Sequence, residues 1–288
     1  MSKIALIFSK TRSDTVGNYI EKVFQNLHIT YDHYCSSKMN EIPQAYDLYF
    51  RIYDGYCERE IPYFLKPKIY WVGDVHLSAP LYHMRKQVKD YEIIFSFLHL
   101  GAEKLKRYSR KIHVLNYACD PLIHRKLQVS RKFDLGFVGT DGGVPRKFIL
   151  QELRERYPHS FLGLAPYTKM AEIYSQSKIG FNYTIRGEGM TMRSFEIPAC
   201  GTILFMQKIK KEWLEDLGFE DRKNLVIYEN LEHLIELIDY YLVHDNEREK
   251  IAQSGHELVH SRHTYSHKVK EAISLIQEKL CILKDIKV

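Results

Sequence analysis

Hydrophobic positions recur along the chain with two periods. Short, near-continuous apolar runs occupy residues 4–8, 29–34, 46–52, 68–72, 92–97 and 112–117. Runs of this length without polar alternation are the pattern of parallel strands covered on both faces. Between the first two, Val16, Ile20, Val23, Phe24 and Leu27 share one stripe, which predicts a helix over 15–27. Asp120-Pro121 interrupts the series and a basic stretch follows. A second alternation then predicts strands over 133–138, 160–164, 179–183, 202–206 and 225–227. Helices are predicted between and after them, over 145–157, 168–175, 191–200, 208–217, 231–243 and 246–254. A last pattern over 266–283 aligns Val269, Ile273, Ile276, Leu280 and Leu283 on one face of a helix. The expectation is α/β: two doubly wound, Rossmann-like parallel-sheet domains over 1–119 and 120–265, with a closing helix over 266–288. Open sheets of this kind bind ligands at the carboxyl ends of their strands, so a small-molecule crevice is expected between the two domains.

Composition narrows the class. Of 288 residues, 45% are hydrophobic and 27% charged, which excludes a disordered chain and a small disulfide scaffold. No apolar run approaches the ~18 residues of a membrane span. The run 4–8 is too short for a signal-peptide core, so a cytoplasmic protein is expected. Five widely spaced cysteines without a C-x-x-C pair fit reduced thiols. The net charge of +6 is uneven: residues 101–132 hold nine Lys/Arg against two Asp/Glu. This stretch is either a solvated basic face or a surface for an anionic partner such as DNA.

Two constellations carry candidate chemistry. Gly139-Thr140-Asp141-Gly142-Gly143 joins a strand to a helix opening at Pro145-Arg146-Lys147. Glycines allow close backbone approach, and a helix start with Arg146 beside it suits a diphosphate. The spacing matches neither G-x-G-x-x-G nor a Walker A loop. The second constellation runs from Asn182 through Glu188, Arg193 and Glu196 to Gly201, in the order strand, glycine loop, helix, glycine. Seven residues separate Glu188 from Glu196, a spacing that means little by itself among 22 glutamates. Placed on the helix, however, Glu196 suits a ribose diol, and Arg193 shares its face. The alternative is an ordinary i,i+3 salt bridge.

Asn116-Tyr-Ala-Cys-Asp120, Asp134-Leu-Gly-Phe-Val-Gly139-Thr140, Arg146, Arg193-Ser-Phe-Glu196-Ile-Pro-Ala-Cys-Gly201 and His263-Thr264-Tyr265 together resemble the CgeB-like (spore maturation protein) group of glycosyltransferases. The resemblance covers about residues 116–265 and is weak before that. It implies the GT-B fold, with the last helix crossing back onto the first domain. It also implies hexosyl transfer from a nucleotide sugar, with a UDP sugar the expected donor. Glu188 and Glu196 resemble the E-x7-E pair of retaining GT-B enzymes. Carried over, Glu196 binds the donor ribose and Glu188 lies near the reacting sugar. Arg146 and Arg193 face the diphosphate, and Gly139, Thr140 and Asn182 line the nucleotide pocket. No D-x-D occurs among the 14 aspartates, so no metal or other cofactor is expected beyond the nucleotide sugar. Arginines can offset leaving-group charge instead.

In the first domain, Trp71-Val-Gly-Asp74-Val-His76 follows a buried-strand pattern, and Asp74 and His76 are candidates for acceptor binding or proton transfer. Thr11-Arg12-Ser13 is a weaker candidate. The acceptor is a hydroxyl on a saccharide, a protein or a polyanion. A competing motif, His256-Glu257-Leu258-Val259-His260, matches the H-E-x-x-H zinc hydrolase signature. Gly255 before it weakens a continuous helix, and the extended form with a third histidine is absent. A further alternative is a sugar-nucleotide-binding module without turnover.

Overall fold

The computed structural model describes residues 1–11, 15–55, 59–184 and 189–287, and divides into two compact units. One comprises Met1–Asn116 with Tyr265–Val288, the other Tyr117–Thr264. In the first unit the chain runs β1 (Ile4–Ile7), α1 (Val16–Asn26), β2 (Tyr31–Tyr34), β3 (Leu48–Ile52), β4 (Lys68–Val72), α2 (Ser78–Gln87), β5 (Ile93–Ser96), α3 (His99–Lys106) and β6 (Ile112–Val114). These strands form one parallel sheet in the order β2-β1-β3-β4-β5-β6. β1, β3, β4 and β5 are buried at every position, as their unbroken apolar runs require. Trp71 anchors one face. Its ring stacks on Phe97 with centroids 5.0 Å apart, and its Nε1 donates to the Leu115 carbonyl at 2.9 Å.

The sequence pattern does not reveal α2 and α3, and their packing explains why. In α2 only Met84 and Gln87 are buried. α3 buries His99, Gly101, Ala102 and Leu105, and a Cβ on Gly101 would stand 2.6 Å from Val75 Cγ2. Neither helix presents a broad apolar stripe.

The second unit runs β7 (Phe133–Val138), α4 (Arg146–Arg156), β8 (Phe161–Gly163), α5 (Met170–Ser175), β9 (Ser177–Asn182), α6 (Arg193–Ala199), β10 (Ile203–Gln207), α7 (Lys211–Glu215), β11 (Val226–Tyr228), α8 (Leu231–Val243) and α9 (Asp245–Arg262). Its parallel sheet has the order β11-β10-β9-β7-β8. From β7 the chain moves one way to β8, and from β9 the other way to β10 and β11. The strand order therefore reverses between β7 and β9, and the loops leaving their carboxyl ends diverge there. α9 continues through Gly255, against the expectation of a weakened helix. A Cβ at that position would lie 2.5 Å from the Asn224 carbonyl oxygen, so glycine lets the helix approach that turn closely.

The final helix, α10 (Tyr265–Leu280), belongs to the first unit and packs on α1, with Tyr265 stacked on Tyr19 at 4.9 Å. The units meet in sequence at 116/117 and 264/265, a few residues from the expected 119/120 and 265/266.

Gly180 in β9 supports α6 so closely that a Cβ there would stand 2.2 Å from Ile197 Cγ2. Gly180→Ala is expected to destabilise the protein by about 1–3 kcal/mol. Adding Ile197→Ala is expected to cost clearly less than the sum of the two single changes, read by urea unfolding as a double-mutant cycle. Simple additivity would contradict this contact.

Candidate functional site

The reversal between β7 and β9 carries two guanidinium groups. Arg146 opens α4 after the 139–145 loop, and Arg193 opens α6 after the loop that leaves β9. Both lie over the ring of Phe137, the guanidinium carbons 5.9 and 4.8 Å from its centroid. Arg146 Nη1 donates to the Thr140 carbonyl at 3.3 Å and its Nε to the Tyr183 carbonyl at 3.2 Å. Arg193 Nη1 points at the Val138 carbonyl, 3.5 Å away. Gly139 lets Arg193 pass: its φ is +156°, and a Cβ there would meet Arg193 Nη1 at 2.8 Å. Thr140 is exposed and Gly139 half-buried at this rim.

Asn182 stands beneath this pair. It is fully buried, and its amide is used within the protein. Oδ1 accepts from Arg193 Nε at 3.1 Å, and Nδ2 donates to Ser194 Oγ at 3.0 Å and Thr191 Oγ1 at 3.2 Å. The geometry makes Asn182 the residue that aims Arg193. The helix amides differ from expectation. At the start of α4 the N–H groups of Lys147, Phe148 and Ile149 donate to the Gly143 and Pro145 carbonyls. At the start of α6 those of Ser194, Phe195 and Glu196 donate to Thr191 and Met192. The guanidinium groups of Arg146 and Arg193 add charged donors at this rim.

Glu196 faces inward, its residue only 4% exposed. Its Oε1 lies 3.7 Å from Nε2 of His124, which is fully buried. His124 Nδ1 accepts the Asp120 N–H at 3.0 Å, which places the neutral ring's proton on Nε2, toward the carboxylate. Burial pushes the Cys200 thiol and Tyr174 phenol upward, and the nearby Glu196 carboxylate adds to both shifts. His124 was missed by sequence reasoning because it meets Glu196 only through the fold. Its one local signal is the Asp120-Pro121 turn, in which the His124 N–H donates to the Asp120 carbonyl at 2.7 Å. Glu188 lies outside the described residues.

In the first unit, Asp74 and His76 occupy the loop between β4 and α2. Asp74 adopts a left-handed φ of +50°, which aspartate tolerates in tight turns, and its Oδ2 accepts from Tyr53 Oη at 2.7 Å. His76 is buried, and its carbonyl accepts from Lys104 Nζ at 2.6 Å. This unit reverses strand order between β1 and β3. Asp54, also missed by sequence reasoning, stands there, accepting from the Ser9 N–H and from Ser36 Oγ at 2.6 Å. Of the Thr11-Arg12-Ser13 candidate, Arg12 and Ser13 lie outside the described residues.

The H-E-x-x-H histidines have another occupation. Nδ1 of His256 lies 3.0 and 3.2 Å from the Ala199 and Pro198 carbonyls, and Nε2 of His260 lies 3.1 Å from the Ala199 carbonyl. Carbonyls only accept, so these nitrogens carry protons there, and the lone pairs lie on His256 Nε2 and His260 Nδ1. Glu257 accepts from Gln253. Among the described residues no group of three His, Cys, Asp or Glu could hold a metal ion. The two rings instead satisfy the carboxyl end of α6, the helix that bears Arg193 and Glu196.

Burial, and then the neighbouring His260, hold His256 below its ordinary 6.5. His33, His113 and His267 are depressed by burial as well. A folded-state value below the unfolded one means that the unfolded chain takes up protons first. The associated stability is present above about pH 6.5 and is lost as pH falls through the folded values. The melting temperature is expected to drop between about pH 7 and pH 5. His256→Asn should show a shallower drop, and an identical pH slope would contradict this assignment.

The sequence profile of the glycosyl transferase-like family matches residues 121–274, slightly more than half of the chain. No curated protein sequence matches it. Solved structures do. Anabaena HepE in complex with UDP superposes with a TM-score of 0.68 at 11% identity, over 96% of this chain and 100% of that one. Sucrose-phosphate synthase from Thermosynechococcus elongatus gives 0.68 at 10% identity, over 98% and 100%. The T4 phage β-glucosyltransferase gives 0.60 at 14% identity, over 96% and 98%. At these identities the likeness establishes the fold, which is that of GT-B glycosyltransferases. The chain belongs to the glycosyl transferase-like family.

Proposed function

We propose that the chain is a metal-independent, retaining hexosyltransferase of the CgeB-like kind, moving a sugar from a UDP sugar to a hydroxyl acceptor. The observation that carries this reading is the convergence of Arg146 and Arg193 on Phe137, where the second sheet reverses its strand order. Breaking the anomeric bond delivers negative charge to the departing diphosphate. Two fixed guanidinium groups, their stems and aim already set by Asn182 and the Thr140, Tyr183 and Val138 carbonyls, receive that charge with little reorganisation. The solved relatives of similar fold include complexes with UDP and UDP-glucose, which supports uridine diphosphate as the carrier.

Glu196, oriented by His124, is assigned to the donor ribose, and Glu188 to the neighbourhood of the transferred sugar. In a retaining same-face reaction the leaving phosphate takes the acceptor proton, so no strong protein base is needed. Asp74 and His76 then serve to hold the acceptor hydroxyl. The donor is the sole co-substrate and no separate cofactor enters.

Calorimetric titration with UDP tests the assignment. Arg146→Ala and Arg193→Ala are each expected to weaken UDP by about tenfold to a hundredfold, as loss of a charged hydrogen bond does. Binding of uridine alone should stay unchanged. Wild-type UDP affinity in both variants would overturn the site. Release of sugar from UDP-glucose or another UDP sugar by the wild type separates a working transferase from a binding module without turnover.

A further inference from the structure

The amino-terminal edge of the first unit's sheet collects charge and exposed rings that the transferase reading does not use. The segments leading into β4, β5 and β6 lie side by side because those strands are parallel neighbours. Hydrogen bonds tie them together. Lys68 Nζ donates to the Ile61 carbonyl at 3.1 Å, Lys68 N to Glu92 Oε2 at 2.7 Å, and Lys111 Nζ to the Tyr91 carbonyl at 3.2 Å. Residues 59–67, 85–92 and 104–111 together hold ten Lys/Arg against three Asp/Glu. That net charge exceeds the +6 of the whole chain, so the remainder is slightly negative. Basic residues in the last turns of α2 and α3 complement the helix dipoles. That explanation does not reach Lys66, Arg110 or Lys111, which stand outside helices.

Exposed aromatic rings share this face. Tyr63 is 81% and Phe64 49% exposed, and they meet edge to face at 5.7 Å. Tyr82 and Tyr108 are exposed as well. Among the described residues of this unit, the only other large exposed apolar side chain is Met1. Single-stranded nucleic acid would stack its bases on open ring faces. Here one of the four rings, Tyr82, is already covered by Arg85 and Lys86, at 4.5 and 4.1 Å from its centroid, and Tyr63 and Phe64 are paired with each other. Amphipathic rings flanked by Lys and Arg match a bilayer boundary, with rings at headgroup level and cations toward anionic lipid. We infer that this sheet edge docks the protein on an anionic membrane surface.

Co-sedimentation of the full chain with vesicles tests this. The protein is expected to bind vesicles containing phosphatidylglycerol and not those of phosphatidylcholine alone, with binding weakened by salt. Reversing three exposed cations together (Lys106→Glu, Arg107→Glu, Arg110→Glu) should lower the partition coefficient by about 100-fold or more. Tyr63→Ser with Phe64→Ser should lower it by about tenfold. Both variants should melt and bind UDP as the wild type does. The inference is overturned if the wild type stays in the supernatant with anionic vesicles, or if the charge-reversed variant partitions unchanged. It is equally overturned if the same residues govern binding to duplex or single-stranded DNA while vesicles are ignored.

Discussion

Two like charges held over one ring are the constraint around which the second unit is arranged. Arg146 and Arg193 repel one another, and the described contacts that offset that repulsion include the Phe137 face, three backbone carbonyls and the Asn182 amide. Two guanidinium groups held this close form a site into which a doubly charged anion can move with large gain. The supporting shell is built accordingly. Asn182 is fixed from below, its carbonyl accepting from Tyr228 Oη at 2.8 Å, and α6 is held at its far end by two histidines of α9.

This arrangement explains why one helix carries so many independent restraints. α6 is only seven residues long, too short to hold its own direction. Gly180 seats it against β9, Ser194 ties it to Asn182, and Glu196 meets His124. Two of these contacts come from β9 and one from the turn after Asp120, and the α9 histidines hold the far end, so the aim of Arg193 is set by several parts of the unit.

Much of the fold was legible in the sequence because both sheets are covered on two faces, and buried parallel strands read as unbroken apolar runs. What escaped did so for definite reasons. α2 and α3 each bury few large apolar side chains, with a close approach at Gly101, and leave no stripe to find. Gly255 reads as a helix breaker but serves as a close-approach point. At the site, the glycine loop and the two arginines were visible as residue types in strand–loop–helix contexts. His124 and Asp54 were invisible because their partners are remote in sequence, and spacing rules report only local geometry. The H-E-x-x-H pattern shows the converse. Its i,i+4 spacing does place both rings on one helix face, but they meet carbonyls of α6.

The most direct test of the central claim is a crystal structure of the chain with UDP. The account predicts the diphosphate within hydrogen-bond distance of both Arg146 and Arg193, beside Gly139 and over Phe137, with the ribose toward Glu196. A diphosphate bound elsewhere, or bridged to the protein through a cation held by carboxylates, would contradict it.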